Sequence, residues 1–193
     1  MNVKSKIITI LSLIGAMLLI IPSGFLIGFA ASMLSNLIYI VVLFPLGMGM
    51  CGAVILNGII SKLKIQGLRA GISLAILMAS MIYGAFHYTD YLAFRLTLAS
   101  KMNQQIEQET GKPEPAVADA FVDYALKQET GHTGPIGFIL YQAKAGISIG
   151  RWYSDRKLNV GPFFTWVFWL VEFAIVGFMT TALLSSSSKS TRT

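Results

Sequence analysis

The sequence predicts an all-α membrane protein with four transmembrane helices and a small helical extracytoplasmic segment between the third and the fourth. Three observations lead there. Hydrophobic residues fill 54% of the 193 positions and charged residues only 12%, about half the roughly 25% usual in soluble domains. The apolar residues are clustered, and no charged side chain occurs between Ile7 and Ile60. Short segments rich in Lys and Arg and free of acids recur at the ends of the apolar runs, as they do at one face of multi-pass proteins. A crossing takes roughly 20 apolar residues. Hydrocarbon offers the backbone no hydrogen-bond partner, so each crossing is helical.

The first helix is placed at 7–30. Ala30-Ala31-Ser32 resembles a signal-peptidase site, but the apolar run from Ile7 to Ala31 exceeds the roughly 7–15 residues of a signal core, so it is read as a retained helix. Pro22-Ser23-Gly24 marks a possible kink, and Gly24 and Gly28 stand in the GxxxG spacing that lets helices approach closely. A short uncharged turn is expected at Ser32–Asn36, then a second helix at 37–60 interrupted by Pro45. The basic loop SKLKIQGLR, 61–69, leads into a third helix at 70–94, so residues 1–95 hold three spans. The segment 96–159 is hydrophilic. The fourth helix is placed at 160–184, and the tail 185–193, SSSSKSTRT, is expected to be disordered and cytoplasmic.

Orientation follows from the loops. Lys4, Lys6, the loop with Lys62, Lys64 and Arg69, and the tail with Lys189 and Arg192 carry no acid. Four crossings put all of them on one side, which the positive-inside rule makes cytoplasmic. The membrane expected is the cytoplasmic (inner) one. Residues 96–159 then face out, with seven bases against seven acids and no opposing bias.

Within that segment two phrases, QETGKPEP at 108–115 and QETGHTGP at 128–135, read as helix stops. PAVADAFVDYALKQETG between them reads as one helix, with Pro115 in its first turn and Gly131 after its end. Val117, Phe121 and Ala125, with Leu126 at the edge, make its apolar stripe. Residues 136–149 are apolar but too short and interrupted to span, so they either dip into the interface or pack on the preceding helix. Arg151, Trp152, Tyr153, Arg156 and Lys157 mix rings and cations as in a headgroup layer. They anchor the fourth helix or form a lipid-headgroup or docking site.

The net charge of +6 is spread over span flanks and makes no basic stripe, which argues against nucleic acid. Gly47-Met48-Gly49-Met50-Cys51-Gly52 spells GxGxxG but lies inside a span. Without a strand, a helix start and a wet pocket it is no nucleotide site, and Gly47, Gly49 and Gly52 are read as helix-packing residues, as are Ser80 and Gly84 in the third helix. With two histidines, one cysteine and no ligand-spaced motif, no metal or other cofactor is expected. His87, Asp90 and Arg95 form the densest polar cluster near a span end, either an interfacial belt or a proton-handling or ligand site.

Glu172 stands alone in the fourth span. An acid at the bilayer centre costs roughly 2.5–3.5 kcal/mol on insertion scales, so it faces the bundle or a wet cavity. Thr165, Trp169, Val176 and Thr180 share its helical face, and Ser73, Ser80 and Tyr83 are candidate partners. Three roles stay open for it: packing as a hydrogen-bonded neutral acid, a polar link to another subunit, or ion or proton transport.

The pattern of a basic loop, HYTDY, ETGHTGPIGFILYQAKAGISIGR and NVGPFFTWVFWLVE resembles a family of small bacterial multi-pass membrane proteins over residues 36–180. The resemblance implies an architecture and no activity. The layout of four spans with a large loop before the fourth is also similar to that of tetraspanins, but that loop has no cysteine here, so no tetraspanin residue carries over. The leading expectation is a non-catalytic accessory or scaffolding subunit of a membrane assembly, or a homo-oligomer, with lipids and other membrane-protein subunits as partners. A small transporter or channel using Glu172 is the alternative. A lipid-binding protein or membrane-embedded lipid enzyme using His87, Asp90 and Arg151 comes third.

Overall fold

The computed structural model describes residues 3–35, 43–146 and 161–190, with side chains described for 7–35, 43–146 and 161–182. Among these residues there are six helices and no strand: α1 (Val3–Ser35), α2 (Leu43–Leu63), α3 (Leu68–Thr110), α4 (Pro115–Thr130), α5 (Gly134–Ala145) and α6 (Gly161–Ser190). Four of them, α1, α2, α3 and α6, are long and apolar enough to cross a membrane. Leu11, Leu18 and Leu26 on α1 are 62–66% exposed. A row of large apolar side chains open to the surroundings suits contact with lipid rather than water.

The chain divides into two compact units. One contains α1, α2, α3 as far as Phe86, and α6 from Phe168. The other contains α3 from His87, α4, α5 and the start of α6 as far as Val167.

In the first unit the core is built from Ala16, Ile20 and Ala31 of α1, Met48, Leu56 and Ile59 of α2, Leu74, Ala75, Met78, Ala79 and Ile82 of α3, and Val176 of α6. The four-residue spacing of Ala16, Ile20, Gly24, Gly28 and Ser32 puts the buried face of α1 on one stripe. Its two glycines let α1 approach α3. A methyl group at Gly24 would stand 2.6 Å from Met81 Cβ, and one at Gly28 would meet the Ile82 carbonyl oxygen and stand 2.8 Å from Ala85 Cβ. Gly49 plays the same part between α2 and α6, where a methyl would lie 2.7 Å from Met179 Cβ and 2.8 Å from the Val176 carbonyl. A methyl at Gly52 would stand 2.7 Å from Ile82 Cδ1. Gly47 and Gly84 differ: among the described residues nothing lies within 4 Å of a Cβ at either. Ser80 is half-buried.

The second unit is held by Tyr91, Val122, Leu126 and Phe138, with Phe94, Leu98 and Ala99 against them. The Phe138 ring lies 5.0 Å from that of Phe94 and 5.8 Å from that of Tyr91, distances at which tilted rings attract. Both QETG phrases terminate helices by the same device. Gly111 and Gly131 take φ of 75° and 79°, the left-handed conformation glycine adopts freely. Their amides donate back to the Glu107 and Lys127 carbonyls. Thr110 and Thr130 each donate their hydroxyl to the carbonyl four residues earlier. α5 packs on α4: a methyl at Gly137 would meet the His132 carbonyl and lie 3.3 Å from Leu126 Cβ. Of the two expectations for the apolar run from 136, the described part thus packs on the preceding helix.

Several boundaries differ from the sequence reading. α1 runs past 30 through the expected turn at 32, with Ser35 Oγ donating to the Ser32 carbonyl at 2.7 Å. The start expected for the second helix at 37 lies outside the described residues. Pro45 lies in α2 and is buried. α3 does not stop at 94. It has 43 residues, about twice the roughly 20 that cross a bilayer, because Gln, Glu, Met and Leu between 96 and 110 are good helix formers and nothing breaks the run before Gly111. α6 stays helical to Ser190, past the 184 boundary and into the tail expected to be disordered. The buried stripe of α4 is Ala118, Val122 and Leu126, one residue on from the expected one. Val117 and Phe121 are 52% and 39% exposed.

Candidate functional site

Glu172 is 4% exposed in α6, in line with Val176 and Thr180, both 0% exposed. Helical spacing aligns these residues, and the apolar core of the first unit closes around them. The Tyr83 hydroxyl of α3 donates to Glu172 Oε2 at 3.2 Å. The Tyr83 ring lies edge-on to Phe173, with centroids 5.7 Å apart. Tyrosine suits this place because its ring joins the apolar packing and its hydroxyl reaches the acid. Below them Thr180 donates to the Val176 carbonyl at 2.7 Å and reaches the Gly49 carbonyl at 3.4 Å. Of the expected partners the structure brings Tyr83 to the acid. Thr165 is also buried, within the second unit, where it donates to the Gly161 carbonyl.

Arg95 is the hub of the second unit. Its guanidinium grips Asp119 in a two-pronged pair, Nε to Oδ1 at 2.7 Å and Nη2 to Oδ2 at 2.6 Å. Nη1 donates to the Tyr91 hydroxyl at 2.7 Å, and Nη2 reaches Asp123 Oδ2 at 3.3 Å. The other Asp123 oxygen accepts from the Gly134 amide at 3.3 Å, at the start of α5, where a carboxylate also meets the positive end of the helix dipole. One arginine thus ties α3, α4 and α5 together. The planar guanidinium fork matches a carboxylate in a way a lysine does not. The Arg95 hydrogen bond holds the Asp119 carboxyl below the usual carboxylate range. Sequence reading named Arg95 and missed Asp119 and Asp123. Their spacing of four on one helix, after an arginine in the polar half of the preceding helix, was the available signal.

His87 and Asp90 lie on α3, both half-buried, with Thr89 and Tyr91 buried on either side of Asp90. Arg95 is engaged with its aspartates. Arg151, Trp152, Tyr153, Arg156 and Lys157 lie outside the described residues. Among the described residues no three metal-ligating side chains come together.

The arrangement is one of charges and hydroxyls spent on holding helices, with a further exposed surface on α4. At about 100° per residue, Val117, Ala120, Phe121, Tyr124 and Gln128 share one face, all exposed and none charged. Tyr124 is 59% exposed, and its ring lies 6.5 Å from that of Phe121. α4 is therefore apolar on two sides, one buried against its own unit and one free among the described residues. No protein-family model, curated protein or solved structure matches the chain, so the functional reading rests on these residues.

Proposed function

We propose that this chain is a non-catalytic integral membrane protein, the accessory or scaffolding subunit of a membrane assembly. In this reading it sits in the cytoplasmic membrane with both ends cytoplasmic and residues 96–159 outside, in keeping with the acid-free basic loops and with its resemblance to small bacterial multi-pass proteins. The observation that carries the proposal is the uncharged face of α4 around Phe121 and Tyr124. The cores of protein interfaces are poor in charge and rich in aromatic rings. A face of that composition on a hydrophilic segment, away from lipid, fits a second polypeptide. Arg95 and the two aspartates support the reading as well, since they are consumed in presenting α4 rigidly.

Native mass spectrometry of the protein extracted gently from its own membrane tests this. A second polypeptide in fixed ratio, lost in the double variant Phe121→Ser/Tyr124→Ser, is the expected result. Multiples of one chain would replace the accessory subunit with a homo-oligomer, and a clean monomer would end both readings. Glu172 favours a second reading, a small transporter or channel, because a buried acid within a span is an exceptional cost to retain. Loss of ion or proton flux in Glu172→Gln, with assembly intact, would establish it in place of the first.

A further inference from the structure

The end of the first unit where α1 begins and α2 passes into α3 holds a cavity of about 230 Å3, several times the share of one water, about 30 Å3. Thr9 and Ser12 of α1 line it together with Lys64 and Gln66 of the α2–α3 connection, over apolar walls that include Leu13 and Leu63. Two hydroxyls, an amide and an ammonium are thus carried by its lining residues, and no acid is among the described ones. Lys62 and Arg69 flank the same connection, which has no acid from 61 to 69.

The backbone supplies a second, independent observation. α2 ends with the Ile65 amide donating to the Ile60 carbonyl and the Lys64 amide to the Ser61 carbonyl, the paired bonds of a Schellman stop. The residue that must turn left-handed in that stop is ordinarily glycine, which has no side chain to strain. Here it is Lys64, the one described residue other than glycine with a positive φ, 52°. A backbone outlier beside a cavity points to a role for the side chain it carries.

We infer that this cavity is a binding site for a phosphate-bearing anion, with Lys64 as its charged ligand and Thr9, Ser12 and Gln66 as hydrogen-bonding ones. The apolar walls suit the glycerol and first methylenes of an anionic phospholipid, and basic pockets between spans at the cytoplasmic side take such headgroups. The inference is independent of any partner on α4 and rests on the membrane reading alone.

The test uses the full chain purified in detergent, stripped of lipid, and offered phosphatidylglycerol, phosphatidylcholine or inorganic phosphate separately. Lipid adducts are read by native mass spectrometry and thermal shift is read alongside. Phosphatidylglycerol should be retained about tenfold better than phosphatidylcholine, a difference of about 1.4 kcal/mol. Lys64→Asn keeps the left-handed turn, since asparagine tolerates it, and should lose that preference. Gln66→Glu, which puts an acid at the cavity, should lose it too, while Lys112→Asn, the same charge change on the other unit, should keep it. Stabilisation by inorganic phosphate that is lost in Lys64→Asn would support the site and make its ligand soluble. Equal retention of the two lipids, or equal loss in Lys64→Asn and Lys112→Asn, would overturn the inference.

Discussion

Replacing Gly28 with alanine adds one methyl group where α1 meets α3. That methyl would strike the Ile82 carbonyl and stand 2.8 Å from Ala85 Cβ and 2.9 Å from the Phe86 amide nitrogen. Ordinary carbon contacts lie at about 3.5–4.0 Å, so the helices must part by roughly 1 Å. Two of the three obstructing atoms are backbone and cannot rotate away. A gap of that size forfeits a quarter to a half of each contact's attraction, about 0.1–0.2 kcal/mol per atom pair before the loss. Over some tens of pairs at a helix crossing this amounts to about 1–2 kcal/mol, within the roughly 1–3 kcal/mol typical of overpacking. Gly84→Ala is the matched control. It adds the same methyl in the same bundle at a place where no described residue lies within 4 Å, and alanine is the better helix former by up to about 1 kcal/mol. Reversible unfolding in mixed micelles, titrated with sodium dodecyl sulfate and followed by tryptophan fluorescence, measures both. Gly28→Ala should be destabilised and Gly84→Ala neutral or slightly stabilised. Equal effects, or a Gly28→Ala protein as stable as the wild type, would refute the argument that these glycines differ by what faces them.

Other expectations follow from the same contacts. Tyr83→Phe should destabilise the first unit by about 0.5–1.5 kcal/mol, the usual net value of one hydrogen bond, measured by the same titration. Glu172→Gln should stay within about 1 kcal/mol of wild type because an amide oxygen can accept the bond from Tyr83. Arg95→Met should speed hydrogen exchange of the α4 and α5 amides several-fold and leave those of α2 unchanged, since Arg95 links α3, α4 and α5 within the second unit. The Asp119 carboxyl is held low by Arg95, so its contribution is complete above the unfolded value, about 3.9, and is lost as pH falls through the lower folded value. Protection of α4 should therefore hold from neutral pH down to about 4 and fall below it, and Asp119→Asn should flatten that acid limb.

The four apolar helices were legible because a bilayer imposes a length and a composition on whatever crosses it, and the uncharged run from Ile7 to Ile60 meets both. Helix ends were legible where glycine forces a turn: Pro115 and Gly131 bound α4 as its sequence implies. The end of α3 was misplaced at 94 because loss of hydrophobicity there marks a change of surroundings, while the helix itself ends only at the glycine after Thr110. The stripe of α4 slipped by one residue because the helix is apolar on two faces, and one sequence cannot say which of two such faces its own chain covers. Gly28 and Gly84 look alike in sequence, both spaced four from a small residue. They differ only in what stands opposite. Glu172 was visible as an anomaly, and Tyr83 was among three hydroxyls named for it. Lys64 was read only as a topology signal, since nothing in SKLKIQGLR reveals a lysine in a glycine's conformation.

The central claim is that α4 presents an uncharged aromatic face to another polypeptide. A photoreactive amino acid placed at Tyr124 in the full chain, irradiated in intact cells, tests it most directly, with the same probe at buried Val122 as the control. The account predicts one dominant adduct with a different polypeptide at Tyr124 and none at Val122. Adducts with lipid alone, with copies of this chain alone, or equally at both positions would contradict it.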